Sequence, residues 1–200
     1  MRRVRLVLTL TLLTALSLPS FAQQNQGEPP MTAEQQAQMA AWMSSMSPGA
    51  PHSALAARAG KWTAKITLWM DPAAPATEST GTANREMILG GRVLQEKFQA
   101  NFMGMPMEGV GMNGYDNVAG TYWSTWNDNM STGLMRMEGV KNADGSYTYK
   151  GSMLDPLSKK PIPVRIVSKD VSTDKDTMEM YETRDGKENK TMMIVYERVK

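Results

Sequence analysis

Residues 77 to 102 fold back on themselves in one sensible register, and that register constrains the rest of the chain. Gly90-Gly91 tolerates positive φ at both positions, as a two-residue type I′ turn requires. With Leu89 facing Arg92 across it, antiparallel partners step together and every later pair is fixed. Met87 then meets Leu94, Arg85 meets Glu96, Ala83 meets Phe98, Gly81 meets Ala100 and Ser79 meets Phe102. The other face pairs Glu86 with Gln95, Asn84 with Lys97, Thr82 with Gln99 and Thr80 with Asn101. One face is apolar and the other polar, and a slip of one residue would destroy the separation.

Arg85 and Glu96 break the apolar face, directly opposite each other. A buried charge needs a partner and hydrogen bonds, and this register supplies the partner. The pair reads either as a structural ion pair inside the sheet or as a polar anchor in a mostly apolar ligand pocket.

The alternating pattern of this hairpin spreads along the chain. Trp62, Ala64, Ile66 and Leu68 alternate with polar residues in a half-buried strand. Beyond the hairpin come strand patterns over residues 107–113, 121–126, 130–138, 146–153, 162–169, 176–183 and 187–199, parted by turn signals such as Gly114-Tyr115-Asp116-Asn117 and Arg184-Asp185-Gly186. About ten strands follow one another with short polar turns and no helix between them. An antiparallel meander of that length closes on itself because closure removes its edges. The expected fold is all-β, an up-and-down barrel of small-ligand size, with a two-sheet sandwich as the alternative.

One helix is expected ahead of the barrel. Thr32 with Gln35 makes a capping box, Met39, Trp42, Met43 and Met46 form one apolar stripe, and Ser47-Pro48-Gly49 ends it. The stripe reads as a face that packs across the rest of the domain, or else as a lid or partner-binding helix. The connector 50–60 that follows holds the only histidine, His52.

Arg2, Arg3 and Arg5, the apolar run from Leu6 to Leu18, and Ser20-Phe21-Ala22 together read as a secretory signal cut near Ala22. That run is shorter than the ~20 residues a membrane-spanning helix needs. The organisation expected is a signal over 1–22, a disordered linker over 23–31, the helix and connector over 32–59, and the barrel over 60–200. The export this implies is to the periplasm or medium. Cleavage removes three of the 22 basic residues and no acidic ones, so net charge falls from +2 to −1. That balance gives no reason to expect nucleic acid or an anionic membrane as partner.

Composition closes several routes to chemistry. No cysteine means no disulfide, no thiol nucleophile and no lipid-modified N-terminal cysteine. One histidine cannot build a zinc site of ordinary N/S type. No Gly-x-Ser-x-Gly elbow is present. Asp116, Asp128 and Asp155 all fall in turn signals, where their side chains cap local backbone N–H groups. No reaction is singled out by these residues, and no cofactor is expected.

Nineteen methionines remain to be explained. Met103, Met105 and Met107 alternate, as do Met135/Met137 and Met178/Met180, and clustered thioethers in an exported protein can hold Cu(I). The other reading is that methionine fills an irregular core and a plastic pocket wall. Gly109 and Gly111 would lie beside Ala100 and Phe98 if the next hairpin turns at Gly104-Met105. Small inward residues would then leave space for a ligand, or else merely permit strand coiling in a filled barrel. The candidate ligand-binding residues are Arg85, Glu96, Trp62, Met87, Phe98 and Met107. The reading is a barrel that binds a small apolar or amphipathic molecule. Its alternatives are a Cu(I)-handling protein and an envelope structural or interaction protein whose Met/Trp helix docks a partner.

Several motifs stand in the order of a known family: His52-x-x-Leu55, Gly60-Lys61-Trp62, Ile88-Leu89-Gly90-Gly91-Arg92, Gly114-Tyr115-Asp116-Asn117 and Trp126-x-Asp128. Met178-Glu179-Met180-Tyr181-Glu182 and Tyr196-Glu197-Arg198 complete the set. From His52 to the C-terminus the chain resembles the bacterial domain of unknown function 1579. That resemblance implies no activity. It is similar to calycin-like barrels, the lipocalins and nitrobindin-like haem proteins, which implies a barrel by analogy. The haem of the latter finds no matching ligand position here, since His52 lies upstream of the strands.

Overall fold

Alternation of apolar and polar residues runs through ten segments, and each forms a strand. The computed structural model describes residues 30–71 and 74–200, so the signal-like stretch lies outside the described residues. The strands are β1 (Gly60–Leu68), β2 (Thr77–Ile88), β3 (Val93–Phe102), β4 (Met105–Asp116) and β5 (Thr121–Asp128). They continue with β6 (Met135–Lys141), β7 (Tyr147–Leu154), β8 (Pro161–Ser172), β9 (Lys175–Arg184) and β10 (Lys187–Arg198). Each pairs antiparallel with its neighbour in sequence, and β10 returns to β1 to close a barrel. The closing pair runs from Trp62–Arg198 to Leu68–Met192. Closure leaves no edge strand, which the sandwich alternative would.

The β2–β3 register is the expected one, from Ile88–Val93 through Arg85–Glu96 to Gly81–Ala100, where the pairing stops short of Ser79 and Phe102. The turn differs. Leu89, Gly90 and Gly91 all have positive φ, and the amides of Gly91 and Arg92 both donate to the Ile88 carbonyl. The loop is therefore four residues long, with Leu89 and Arg92 inside it rather than paired. At β3–β4 the turn is Met103-Gly104, with φ of 51° and 83°, one residue earlier than expected. A positive φ at the second position suits Gly104 far better than Met105. Gly109 and Gly111 consequently oppose Phe98 and Glu96, and Met107 opposes Ala100.

β6 begins at Met135 and not at Met130. Asp128 Oδ1 accepts from the amides of Met130 and Ser131, which curls the backbone into a loop before the strand can start. Asp116 does the same for Val118 and Ala119, and Asp155 for Leu157 and Ser158.

Among the described residues two helices precede the barrel. α1 (Ala33–Met46) carries the expected capping box between Thr32 and Gln35. α2 (Ala50–Ala56) occupies what the sequence offered as a connector, with Pro51 in its first turn and His52 Nδ1 accepting from the Gly49 amide. The helix that packs is α2. His52 and Leu55 are buried, and the His52 ring meets Tyr115 edge-on at 6.0 Å. α1 buries no residue at all, and Trp42 is 62% exposed. Its C-terminal end is held by main-chain contacts instead. Asn117 donates to the carbonyls of Ser44, Ser45 and Ser47, and Arg92 to that of Met46. The Pro48-Gly49 turn then delivers α2 to the barrel end, leaving no barrel surface for the α1 stripe.

The core falls into two clusters. One gathers Leu55, Leu94, Tyr122, Tyr147 and Tyr149 at the α2 end, and the other lays Trp62, Ile66, Phe98, Ile194 and Tyr196 along one wall.

Candidate functional site

Inward positions of the barrel do not fill it. They enclose a cavity of about 1060 Å³ that opens at the end away from α2. Its walls are mostly apolar, with Met107, Met135, Met153, Met178, Met180 and Met192 on strands from around the barrel. Unbranched thioether side chains suit a wall that must fit an irregular occupant. The mouth is ringed by exposed apolar side chains from four different loops and their flanks: Met70, Met103, Leu134 and Leu157.

Glycines do a different job from the one the sequence suggested. A Cβ at Gly109 would overlap the Trp126 ring, and one at Gly111 would crowd it at 3.3 Å. The indole lies across the β4 backbone and takes the space, with its Nε1 donating to Asp128 Oδ2 at 2.7 Å. Gly139 receives the Tyr149 ring in the same way. The glycines thus seat large aromatic rings against the wall, and the open volume lies beyond those rings.

At the closed end, Arg85 stands opposite Glu96 as the register requires, and Asp176 from β9 joins them. Arg85 Nε donates to Glu96 Oε2 and Nη1 to Asp176 Oδ2, each at 2.5 Å. The guanidinium is sandwiched between the rings of Tyr196 at 4.2 Å and Trp62 at 5.0 Å. Burial by itself would lower the pKa of Arg85; Glu96, then Tyr196 and Asp176, outweigh it, so the group is held charged more firmly than a free arginine. Burial also raises Tyr196 well above an ordinary phenol. Arg85 with two carboxylates makes a closed ionic group.

Arg85, Glu96, Phe98 and Met107 line the cavity. Trp62 and Met87 do not. Trp62 is buried beneath Arg85, with its Nε1 donating to the Arg58 carbonyl, and Arg198 covers its other side at 4.2 Å. Met87 packs against the tyrosine cluster at the α2 end. Of the alternating trio, Met107 alone points inward; Met103 and Met105 are exposed at the turn.

Asp176, Tyr149 and Arg58 escaped the sequence reading. Asp176 had a signal, since it stands in phase with Met178 and Met180 and so had to face inward. Tyr149 likewise alternates with Tyr147 and Met153. Arg58 had none, because it lies outside the strands. Among the described residues no group of three or more His, Asp or Glu side chains is placed to hold a metal ion.

Residues 47–198 match the family described as Protein of unknown function (DUF1579). No curated protein matches the chain. Among solved structures the barrel is similar to an S-type phycobiliprotein lyase from Guillardia theta, at 10% identity, with 75% of this chain and 93% of that chain covered and a TM-score of 0.55. At that identity the likeness is one of fold.

Proposed function

The chain belongs to the DUF1579 family, which lends no chemistry of its own, and from the interior of its barrel we propose that it binds a small apolar or amphipathic molecule. The observation that carries this reading is the open, mostly apolar cavity of about 1060 Å³, larger than structural packing would leave. A closed barrel with a filled interior would be more stable, so a retained cavity points to an occupant. Phe98 and Met107 supply wall surface, and Arg85 and Glu96 form part of the polar end. Trp62 and Met87 support that end from behind.

The basic and apolar N-terminal pattern supports a protein working outside the cytoplasm, where a barrel of this kind would carry or buffer its ligand. Among the described residues no cluster favours a reaction.

One observation favours a second reading. Six or more thioethers on the cavity wall are soft ligands, and Cu(I) accepts them.

Native mass spectrometry of protein purified gently from its own host tests both. An organic adduct released by denaturation is the expected result. A copper adduct that vanishes on Met178→Leu with Met180→Leu would promote the second reading. A bare mass, together with failure to take up any neutral hydrophobic dye, would sink the first.

A further inference from the structure

Buried polar atoms in folded proteins are nearly always hydrogen-bonded, so each one left alone asks for a reason. Among the described residues three buried side-chain atoms have no partner: Arg58 Nη2, Ser79 Oγ and Tyr149 Oη. All three residues line the cavity. Two of them lie at its closed end. Arg58 leaves α2 with Nε donating to Asp170 Oδ1 at 2.7 Å, and its guanidinium sits 4.8 Å from the Tyr147 ring centre. Tyr147 and Tyr149 are consecutive inward residues of β7, which puts the second ring next along the same wall from the guanidinium. Tyr149 itself is only 4% exposed.

We propose that this end of the cavity is a head-group site, in which Arg58 Nη2 and Tyr149 Oη donate to the carboxylate of an amphipathic ligand whose hydrocarbon part lies along the methionine wall. The proposal rests on the ligand-binding reading above and adds the chemical class of the ligand. A guanidinium offers donors only and never loses its proton in a protein; a carboxylate offers acceptors only. Burial pushes the Tyr149 phenol up to about 12, with the Arg58 charge pulling the other way, so the hydroxyl keeps its proton at neutral pH and can donate. The neighbouring ionic group does not compete for the anion. Arg85 already donates to Glu96 and Asp176, and those two acids leave its side of the floor short of positive charge. Charge-assisted bonds of this kind are the stronger sort, and they give an anchor at one end of an otherwise unselective apolar space.

Calorimetric titration of the full chain with dodecanoic acid, methyl dodecanoate and the neutral dye N-phenyl-1-naphthylamine tests the assignment. The acid should bind at least about tenfold more tightly than its ester, as two charge-assisted hydrogen bonds allow. Tyr149→Phe should remove about tenfold of the acid's affinity, leave the ester and the dye unchanged, and not lower the melting midpoint, since it deletes a hydroxyl that nothing in the protein bonds. Arg58→Gln should abolish the preference for the acid. Acid and ester binding alike, with Tyr149→Phe moving neither, would overturn the head-group site while the barrel remained a ligand carrier, its floor satisfied by water. Dye uptake without acid binding would overturn it in the same way. Failure of all three probes would overturn the carrier reading together with it.

Discussion

The two ends of the barrel are built from the same ten strands and spend their side chains in opposite ways. At the α2 end the polar groups answer one another, except for Arg58 Nη2 and Tyr149 Oη. Arg85 takes two carboxylates, and Arg198 reaches the carbonyls of Ala57, Ala59 and Thr173 while covering Trp62. Four rings and α2 fill the space between. At the mouth Asp128 and Asp155 cap their own turns, Asn129 and Arg184 reach across to Pro106 and Asp155, and the apolar side chains of the loops face water. The difference separates two demands. One end fixes the closure of the barrel, and the other leaves a way in.

The comparison breaks most visibly at Arg85. Arg85→Met leaves Glu96 and Asp176 buried without a cation and should cost about 3–5 kcal/mol, read from urea unfolding. A loss below 1 kcal/mol would mean that the closed end is held by its rings alone. Gly109→Val should cost about 1–3 kcal/mol, because the new side chain drives Trp126 off its seat toward the cavity. The change would register as a shift in tryptophan emission and a smaller ligand capacity; unaltered emission would place the ring elsewhere. At the mouth, Leu134→Ser and Leu157→Ser should each move stability by less than about 0.5 kcal/mol, the range of exposed positions. Their effect should appear in the rate of dye uptake by stopped flow. Equal uptake rates would deny the rim any part in entry.

The smallest effect separates one mouth loop from the buried Arg85 group by pH. Asp155 at the mouth is held at about 2, first by the Ser158 amide and then by the Arg184 guanidinium. A carboxylate depressed in the folded state contributes stability above its ordinary pKa and loses it as pH falls toward 2. The protection of the Leu157 and Ser158 amides against hydrogen exchange, relative to their intrinsic rates, should therefore fall between about pH 4 and 2 while amides beside Arg85 stay protected. Simultaneous loosening at both ends would erase the distinction.

The strands were legible because a barrel wall with one face inward prints a period of two, and the glycine-rich turn set one register that the whole sheet then had to share. Arg85 and Glu96 were legible as a pair for the same reason. Asp176 completes the group from a strand far along the chain, and no local pattern says which strands meet across a lumen. The Met103-Gly104 turn was legible in residue type, since glycine suits the positive φ of the second turn position, and the expectation of Gly104-Met105 put it at the first. The stripe on α1 looked like a packing face, yet α2 took the position, because a seven-residue helix with a proline near its start leaves too short a pattern to recognise. Trp126 over Gly109 is a cross-strand fit, visible only once the register is known.

The pairing of β1 with β10 has a consequence in time. Every other pairing between strands is made by a hairpin, closed over a few residues and formed as soon as its two arms exist. The last seam joins Trp62 to Arg198, and it cannot form until the whole sheet has been laid down. Loop-closure entropy grows only as the logarithm of length, so the seam is thermodynamically inexpensive. It is slow, because nonlocal pairing governs the rate. Until it forms, the chain is an open sheet with two bare edges, and that interval is when one molecule can zip onto another.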